Sequence, residues 1–247
     1  MYRSIALAFL AAVMLASAAM AAESYTVASD CTWPPMEYLD DNKQPIGFGV
    51  EYIKEVAREA GIDVDVQNIA WDGIFGGVAT GKYDIVSSST TITPERKQQF
   101  DFTDPYYEVL QAVILPAGQE IKSLSELRGK KVGGQIGTTG IFVMRKADVG
   151  ADIKEYDDVG LAIQDLVGGR LDAVICDDPV AMYYVNKKPD TAGKINLSFK
   201  TGEPEYYGFT VAKGRQDLVD KLNQGIKKVK ESGKEAELIR KWMGEGK

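Results

Sequence analysis

The chain has 247 residues and carries 29 Lys and Arg against 36 Asp and Glu, a net charge of −7. An acidic chain without a basic cluster is a poor candidate for binding nucleic acid or anionic membrane. It contains no histidine, which removes Ser-His-Asp and Cys-His catalysis and nearly all zinc chemistry, while leaving carboxylate acid–base chemistry open.

The N-terminus reads as a secretory signal peptide over residues 1–22. Arg3 precedes an apolar run from Ile5 to Ala16, and small residues follow to a cleavage point near Ala21 or Ala22. The run is too short to span a bilayer. No long apolar segment follows, so the mature protein is expected to be soluble and exported. In that setting the two cysteines, Cys31 and Cys176, suggest one disulfide, with two free thiols as the alternative.

Tyr25 to Ser29 reads as a strand. From Gly47 to Ala60 the apolar residues Val50, Ile53, Val56, Ala57 and Ala60 share one helical face, and Gly61 stops the helix. Ile62, Val64 and Val66 alternate as a second strand. Gly73 to Thr80 reads as a short helix and Tyr83 to Val86 as a buried strand. This β-α-β-α-β series predicts a mainly parallel sheet with helices on its faces. A second series follows: a strand at Val109–Leu115, and a helix start with a capping box at Ser123–Glu126. Strands at Lys130–Gln135, Ile153–Tyr156 and Leu171–Cys176 then alternate with helices at Thr138–Lys146, Val159–Gly168 and Pro179–Val185. The tail returns to a strand at Gly208–Ala212 and ends in helices at Asp217–Glu231 and Glu235–Met243. No low-complexity linker separates the halves, so the chain should pass between two lobes through short strand-like hinges.

Three segments carry chemistry. After the strand at Tyr83–Val86 comes a hydroxyl run containing Ser88, Ser89 and Thr91, with Arg96 one helical turn past Thr93-Pro94. Hydroxyls, backbone N–H groups and a planar guanidinium converging on one spot make a carboxylate receptor. The stretch Lys131 to Gly140 is a strand entering a glycine-rich turn that opens a helix. It lacks the GxxxxGK[ST] spacing of a phosphate loop and does not fit GxGxxG, leaving a helix start with free N–H groups. Asp177 and Asp178 follow a buried strand and precede Pro179. Cap duty suits Asp178 and ligand contact suits Asp177, at the strand ends where α/β folds bind ligands. Asp30, Trp33 and Trp71 also sit just beyond strand ends.

Seven segments together resemble the bacterial extracellular solute-binding proteins of family 3. They are Asp30-Cys-Thr-Trp-Pro-Pro-Met-Glu37, Gly47-Phe-Gly-Val50, Trp71-Asp-Gly73, Gly81-Lys-Tyr-Asp84, Thr91-Ile-Thr-Pro-Glu-Arg96, Asp101-Phe-Thr-Asp-Pro-Tyr106 and Gly137-Thr-Thr-Gly140. The resemblance implies an α/β, two-lobed type II periplasmic-binding fold, with two mainly parallel sheets flanked by helices. Lobe one would be 23–107 with 208–247, lobe two 111–203, and the hinges 108–110 and 204–207, with the ligand cleft between.

It also implies site roles. Arg96 would grip the α-carboxylate of an amino acid, with hydroxyl and backbone contacts from Ser88, Ser89 and Thr91 and a donor from Thr139 across the cleft. Asp177 would pair with the α-ammonium. Trp33 and Trp71 would sandwich the side chain, and Asp30 and Gln135 would select it. Cys31 and Cys176 depart from the family's usual pattern. The implied function is periplasmic capture of a polar amino acid, basic or glutamine, for the permease subunits of an ABC importer. The receptor would be a monomer, with no metal, cofactor or catalytic residue. Two alternatives are an exported enzyme of the same fold that dehydrates a cyclic acid, with Asp30, Glu37 or Asp177 as the acid, and a ligand-sensing module.

Overall fold

A computed structural model describes residues 22–244. The predicted signal peptide lies, but for Ala22, outside the described residues. Strand β1 (Ser24–Ser29) opens the fold, and a small ribbon follows it: β2 (Thr32–Trp33), β3 (Glu37–Leu39) and β4 (Pro45–Ile46). Gly47 then turns the chain into α1 (Phe48–Ala60). Its φ is +126, and a Cβ there would stand 2.2 Å from the Met36 carbonyl oxygen, so only glycine fits. The predicted apolar face of α1 is buried, and Gly61 closes the helix in the left-handed conformation at φ 73.

Next come β5 (Asp63–Asn68), α2 (Trp71–Ala79), β6 (Ile85–Val86), α3 (Pro94–Gln99) and β7 (Phe100–Phe102). The chain then crosses into β8 (Tyr107–Pro116), β9 (Lys131–Gln135), α4 (Thr139–Ala147), β10 (Asp152–Tyr156), α5 (Val159–Val167), β11 (Ala173–Asp177), α6 (Asp178–Asn186) and β12 (Ile195–Tyr207). It returns through β13 (Thr210–Ala212), α7 (Gln216–Glu231) and α8 (Lys234–Met243). The capping box predicted at Ser123 and Glu126 is present, and it opens a single 3₁₀ turn, Leu124–Leu127.

The strands form two five-stranded sheets, ordered β5-β1-β6-β13-β7 and β10-β9-β11-β8-β12. The βα alternation accounts for the parallel half of each: β5, β1 and β6 in the first, and β10, β9 and β11 in the second. The other half of each sheet is antiparallel. The sequence reading did not anticipate it: β7 is only three residues long, and the alternation of Ile195, Leu197 and Phe199 with polar residues in β12 went unread. β12 runs antiparallel to β8 along its length, with register shifts between Leu197 and Phe199 and between Thr201 and Glu205.

The main chain passes between the sheets twice, from β7 into β8 and from β12 into β13. At that crossing Tyr107 lies opposite Tyr207. Around it Phe48, Tyr52, Tyr106 and Phe209 stack in a column, with Tyr52–Tyr106 centroids 5.1 Å apart and Tyr106–Phe209 centroids 4.6 Å apart. Such pairs add about 0.5–1.5 kcal/mol each beyond their burial, so the crossing is anchored in core. Gly225 lets α7 approach α1 closely, since a Cβ there would lie 2.3 Å from the Val56 carbonyl oxygen. No helix among the described residues is long and apolar enough to cross a membrane.

Candidate functional site

Parallel strands of both sheets end at a common, nearly closed cavity of about 20 Å³, room for about one water. All ten residues singled out as ligand contacts in the sequence line it. Thr138 is the one further lining residue. Asp30 follows β1, and Ser88 and Ser89 follow β6. Trp71 opens α2, Thr139 opens α4, and Asp177 ends β11.

Arg96 reaches the cavity from α3, whose start Thr93 caps by accepting a hydrogen bond from the Arg96 N–H at 3.2 Å. Its guanidinium donates to the backbone carbonyls of Thr91 (2.8 Å) and Gly137 (3.1 Å). Thr91 lies beside the first sheet and Gly137 beside the second, so this side chain touches both halves. The rings of Trp71 and Phe75 stand 5.6 and 5.4 Å from it, in cation–π range. Burial lowers the Arg96 pKa to about 10, partly opposed by Asp177 and Glu205. Among the described residues no carboxylate forms an ion pair with it.

Asp177 is 4% exposed. Gln111 Nε2 donates to its Oδ1 at 2.6 Å, and the Tyr207 hydroxyl donates to Oδ2. Burial raises its pKa to about 6, and the nearby Glu205 charge adds to the rise, while the Tyr207 and Gln111 hydrogen bonds oppose it. Asp30 behaves alike. It accepts from Gln135 Nε2 (2.8 Å) and Thr32 Oγ1 (2.9 Å), and burial raises its pKa to about 6. The Gln135–Asp30 bond is a second direct link between the halves. The hydroxyls of Thr91 and Thr139, 3.4 Å apart, make a third.

Ser89 sits at φ 44, a left-handed conformation rare for a residue with a side chain. Its N–H (3.1 Å) and hydroxyl (2.9 Å) both donate to the carboxylate of Glu37, which holds the hydroxyl loop in place. Glu37 is fully buried, and that burial, with Asp30 nearby, raises its pKa well above the carboxylate range.

Two expectations need correction. Cys31 and Cys176 are free, buried thiols. The alternation of β11 is the reason: Asp177 faces the cavity, so Cys176 faces the opposite side, packed in the core with Val174 and Tyr184. Cys31 turns its thiol to the Ser29 carbonyl. Asp178 does not serve as the cap of α6. Asp177 occupies the N-cap position, without a side-chain cap bond, while Asp178 accepts from the Leu110 N–H at 3.1 Å and pairs with Lys200 at 2.6 Å.

Sequence reasoning missed Gln111 and Glu205. Gln111 interrupts the apolar run of β8, and that interruption was the available signal. Glu205 fell inside an expected hinge and was not considered as a site residue. Its Oε2 accepts from Thr139 Oγ1 (2.6 Å), Thr91 Oγ1 (3.2 Å) and Gln111 Nε2 (3.2 Å). Among the described residues no group of three or more His, Cys, Asp or Glu side chains is placed to hold a metal ion. The cavity wall thus presents one guanidinium and two buried carboxylates with hydroxyl donors between them, an arrangement complementary to a small molecule bearing both charges.

The model of the bacterial extracellular solute-binding proteins, family 3, matches residues 25–245. A probable histidine-binding protein of Neisseria gonorrhoeae is 35% identical, the match covering 92% of this chain and 86% of that one. The structure of an ancestral arginine-binding protein bound to arginine superposes with a TM-score of 0.84 at 37% identity, over 90% of this chain and 98% of that one. The arginine-, lysine-, histidine-binding protein ArtJ of Geobacillus stearothermophilus gives a TM-score of 0.85 at 34% identity, over 91% and 97%. A family match across nearly all the described residues, joined to the two-sheet architecture, identifies this chain as a member of the bacterial extracellular solute-binding proteins, family 3.

Proposed function

We propose that this protein is an exported receptor that captures a polar amino acid in the cavity between its two sheets and delivers it to an ABC importer. One observation carries the reading. Arg96 and Asp177 come from different sheets, border one cavity, and lack an ion-pair partner among the described residues. Holding unpaired charges out of water is costly. A zwitterion supplies both counter-charges at once.

In this reading Arg96 takes the α-carboxylate through its planar fork, with Ser88, Ser89, Thr91 and Thr139 as further donors. Asp177 takes the α-ammonium. Trp33 and Trp71 flank the side chain, and Asp30 with Gln135 meets its tip. A second buried acid at the far wall favours a basic or amide-tipped side chain and disfavours glutamate and aspartate. The histidine- and arginine-binding relatives agree with that preference. The lobes are 23–107 with 208–247 and 111–203, moving about 108–110 and 204–207. The receptor works as a monomer in the periplasm, and its closed form docks on the permease subunits.

Isothermal titration of the purified protein with L-arginine, L-lysine, L-histidine, L-glutamine and L-glutamate tests the reading. Mass analysis of small molecules released on denaturation gives an independent readout. Tight binding of one of the first four is expected. Binding of glutamate alone would reject the side-chain preference, and binding of no amino acid would reject the function.

A further inference from the structure

We infer that Glu205 is an internal competitor for the ligand's carboxylate, a positioning residue that sets how fast the ligand leaves. The inference rests on the amino-acid reading above and goes beyond it. Glu205 is on β12, where the register with β8 shifts between Thr201 and Glu205. It does not line the cavity. Its Oε2 nevertheless accepts from Thr139 Oγ1 at 2.6 Å and from Thr91 Oγ1 at 3.2 Å. These are two of the hydroxyls proposed to serve the ligand's carboxylate.

A threonine hydroxyl has a single proton. A proton donated to Glu205 is not available to a ligand oxygen. The same carboxylate also accepts from Gln111 Nε2 (3.2 Å), and that amide donates to Asp177 at 2.6 Å and to Thr139 Oγ1 at 3.1 Å. Three acceptors therefore share two amide protons. Arg96 feels the Glu205 charge as well. Glu205 thus performs part of the electrostatic role proposed for the ligand's carboxylate. It engages the hydroxyls and partly compensates the guanidinium. Binding must take those hydroxyl protons from Glu205, and release is eased because Glu205 recaptures them.

The effect is specific to a ligand that carries a carboxylate, which makes it separable from a structural role. The test uses Glu205→Gln, nearly the same shape but uncharged and a weaker acceptor. The probes are whichever of L-arginine, L-lysine, L-histidine and L-glutamine binds the unmodified protein best, and the α-carboxamide of that same amino acid. Calorimetry gives affinities and stopped-flow gives dissociation rates. The preference for the acid over the amide should grow about tenfold in the variant, the size of one hydrogen bond to a charged group, mainly through slower release of the acid. An unchanged or smaller preference overturns the inference and leaves the receptor function standing. If none of the four binds the unmodified protein, the function itself falls and this inference with it. Should Glu205→Gln fail to fold, Glu205→Asp serves: its shorter carboxylate cannot span to Thr139, and the preference should move in the same direction.

Discussion

Replacing Arg96 with methionine separates a functional charge from a structural one. The guanidinium donates two hydrogen bonds, to Thr91 O and Gly137 O, and rests against Trp71 and Phe75. It neutralises no acid through an ion pair among the described residues. The variant loses those two bonds and keeps most of the apolar stem. It also sheds the desolvation cost that lowers the Arg96 pKa to about 10. These terms oppose one another, so stability of the empty protein should change by no more than about 1 kcal/mol. Ligand binding has no such offset. If Arg96 holds the α-carboxylate as proposed, the ligand loses its cation in a site that excludes water, at about 2–5 kcal/mol, or roughly 30-fold to several-thousand-fold in Kd. Arg96→Lys keeps the charge but not the fork and should fall between. Titration calorimetry measures the binding term, and urea unfolding without ligand measures the stability term. The reasoning is refuted if Arg96→Met binds the amino acid within about threefold of the unmodified protein. Destabilisation of the empty protein by as much as binding weakens would refute it equally.

Burial pushes the carboxyls of Asp177 and Asp30 up to about 6, above the ordinary 3.8. A raised carboxyl pKa means the folded state holds extra protons between those values, so the associated stability is present below about 3.8 and lost as pH rises through about 6. Ligand pairing needs the charged form of Asp177, so Kd should worsen as pH falls below about 6, and ligand-induced thermal stabilisation should be larger at neutral pH than near pH 5; a flat profile over that range would contradict the pairing. Glu37→Gln preserves an acceptor for the Ser89 N–H and hydroxyl and should cost less than about 1 kcal/mol, whereas Glu37→Ala leaves those buried donors unpaired and should cost about 2–4 kcal/mol in urea unfolding. With Cys31 and Cys176 free and buried, a thiol reagent should label neither in the native protein and both after unfolding without reductant, and failure to label both after unfolding would signal a bridge.

The parts of the fold legible in the sequence are those whose elements bury one face with a regular period. α1 is an example: Val50, Ile53, Val56 and Ala57 mark its buried face, and Gly61 marks its end. The first half of β12 alternates Ile195, Leu197 and Phe199 with polar residues and could have been read. The second half of β12 was illegible for a physical reason. After Thr201 the residues Gly202, Glu203, Pro204 and Glu205 break the pattern, and what stabilises that part is pairing with β8 far away in sequence. The ribbon strands β2 to β4 are two or three residues long, shorter than any period can register. Asp30, Ser88, Ser89 and Asp177 were legible because each follows a predicted strand, where the architecture gathers side chains from distant segments; Gln135 and Thr139 came from the family resemblance. Gln111 stood out as polar within an apolar run, but its partners depend on which strands flank β8. A cysteine pair in an exported chain suggested a bridge, yet only the facing of β11 decides where Cys176 points.

The strands that cross between the sheets also hold the charges of the cavity. Asp177 is oriented by Gln111 from β8 and Tyr207 from β12. Thr91, whose carbonyl positions Arg96, bridges to Tyr207. Asp178, next in sequence to Asp177, accepts from the backbone of Leu110 in β8 and pairs with Lys200 in β12. The anion and the cation are therefore both referenced to the crossing strands. A change in the angle between the sheets alters the position of each charge relative to the other. A zwitterion that fits one spacing favours the angle that produces it, and the free energy of that preference is the most the ligand can contribute to holding the closed form. Direct bonds between the halves, Gln135 to Asp30 and Arg96 to Gly137, also favour closure without ligand. The ligand's share of closure is then its surplus over these bonds, so weakening them in Gln135→Ala should widen the gap in lobe spacing between the empty and loaded protein, as read by small-angle scattering. An unchanged gap would show that these bonds play no part in setting the angle.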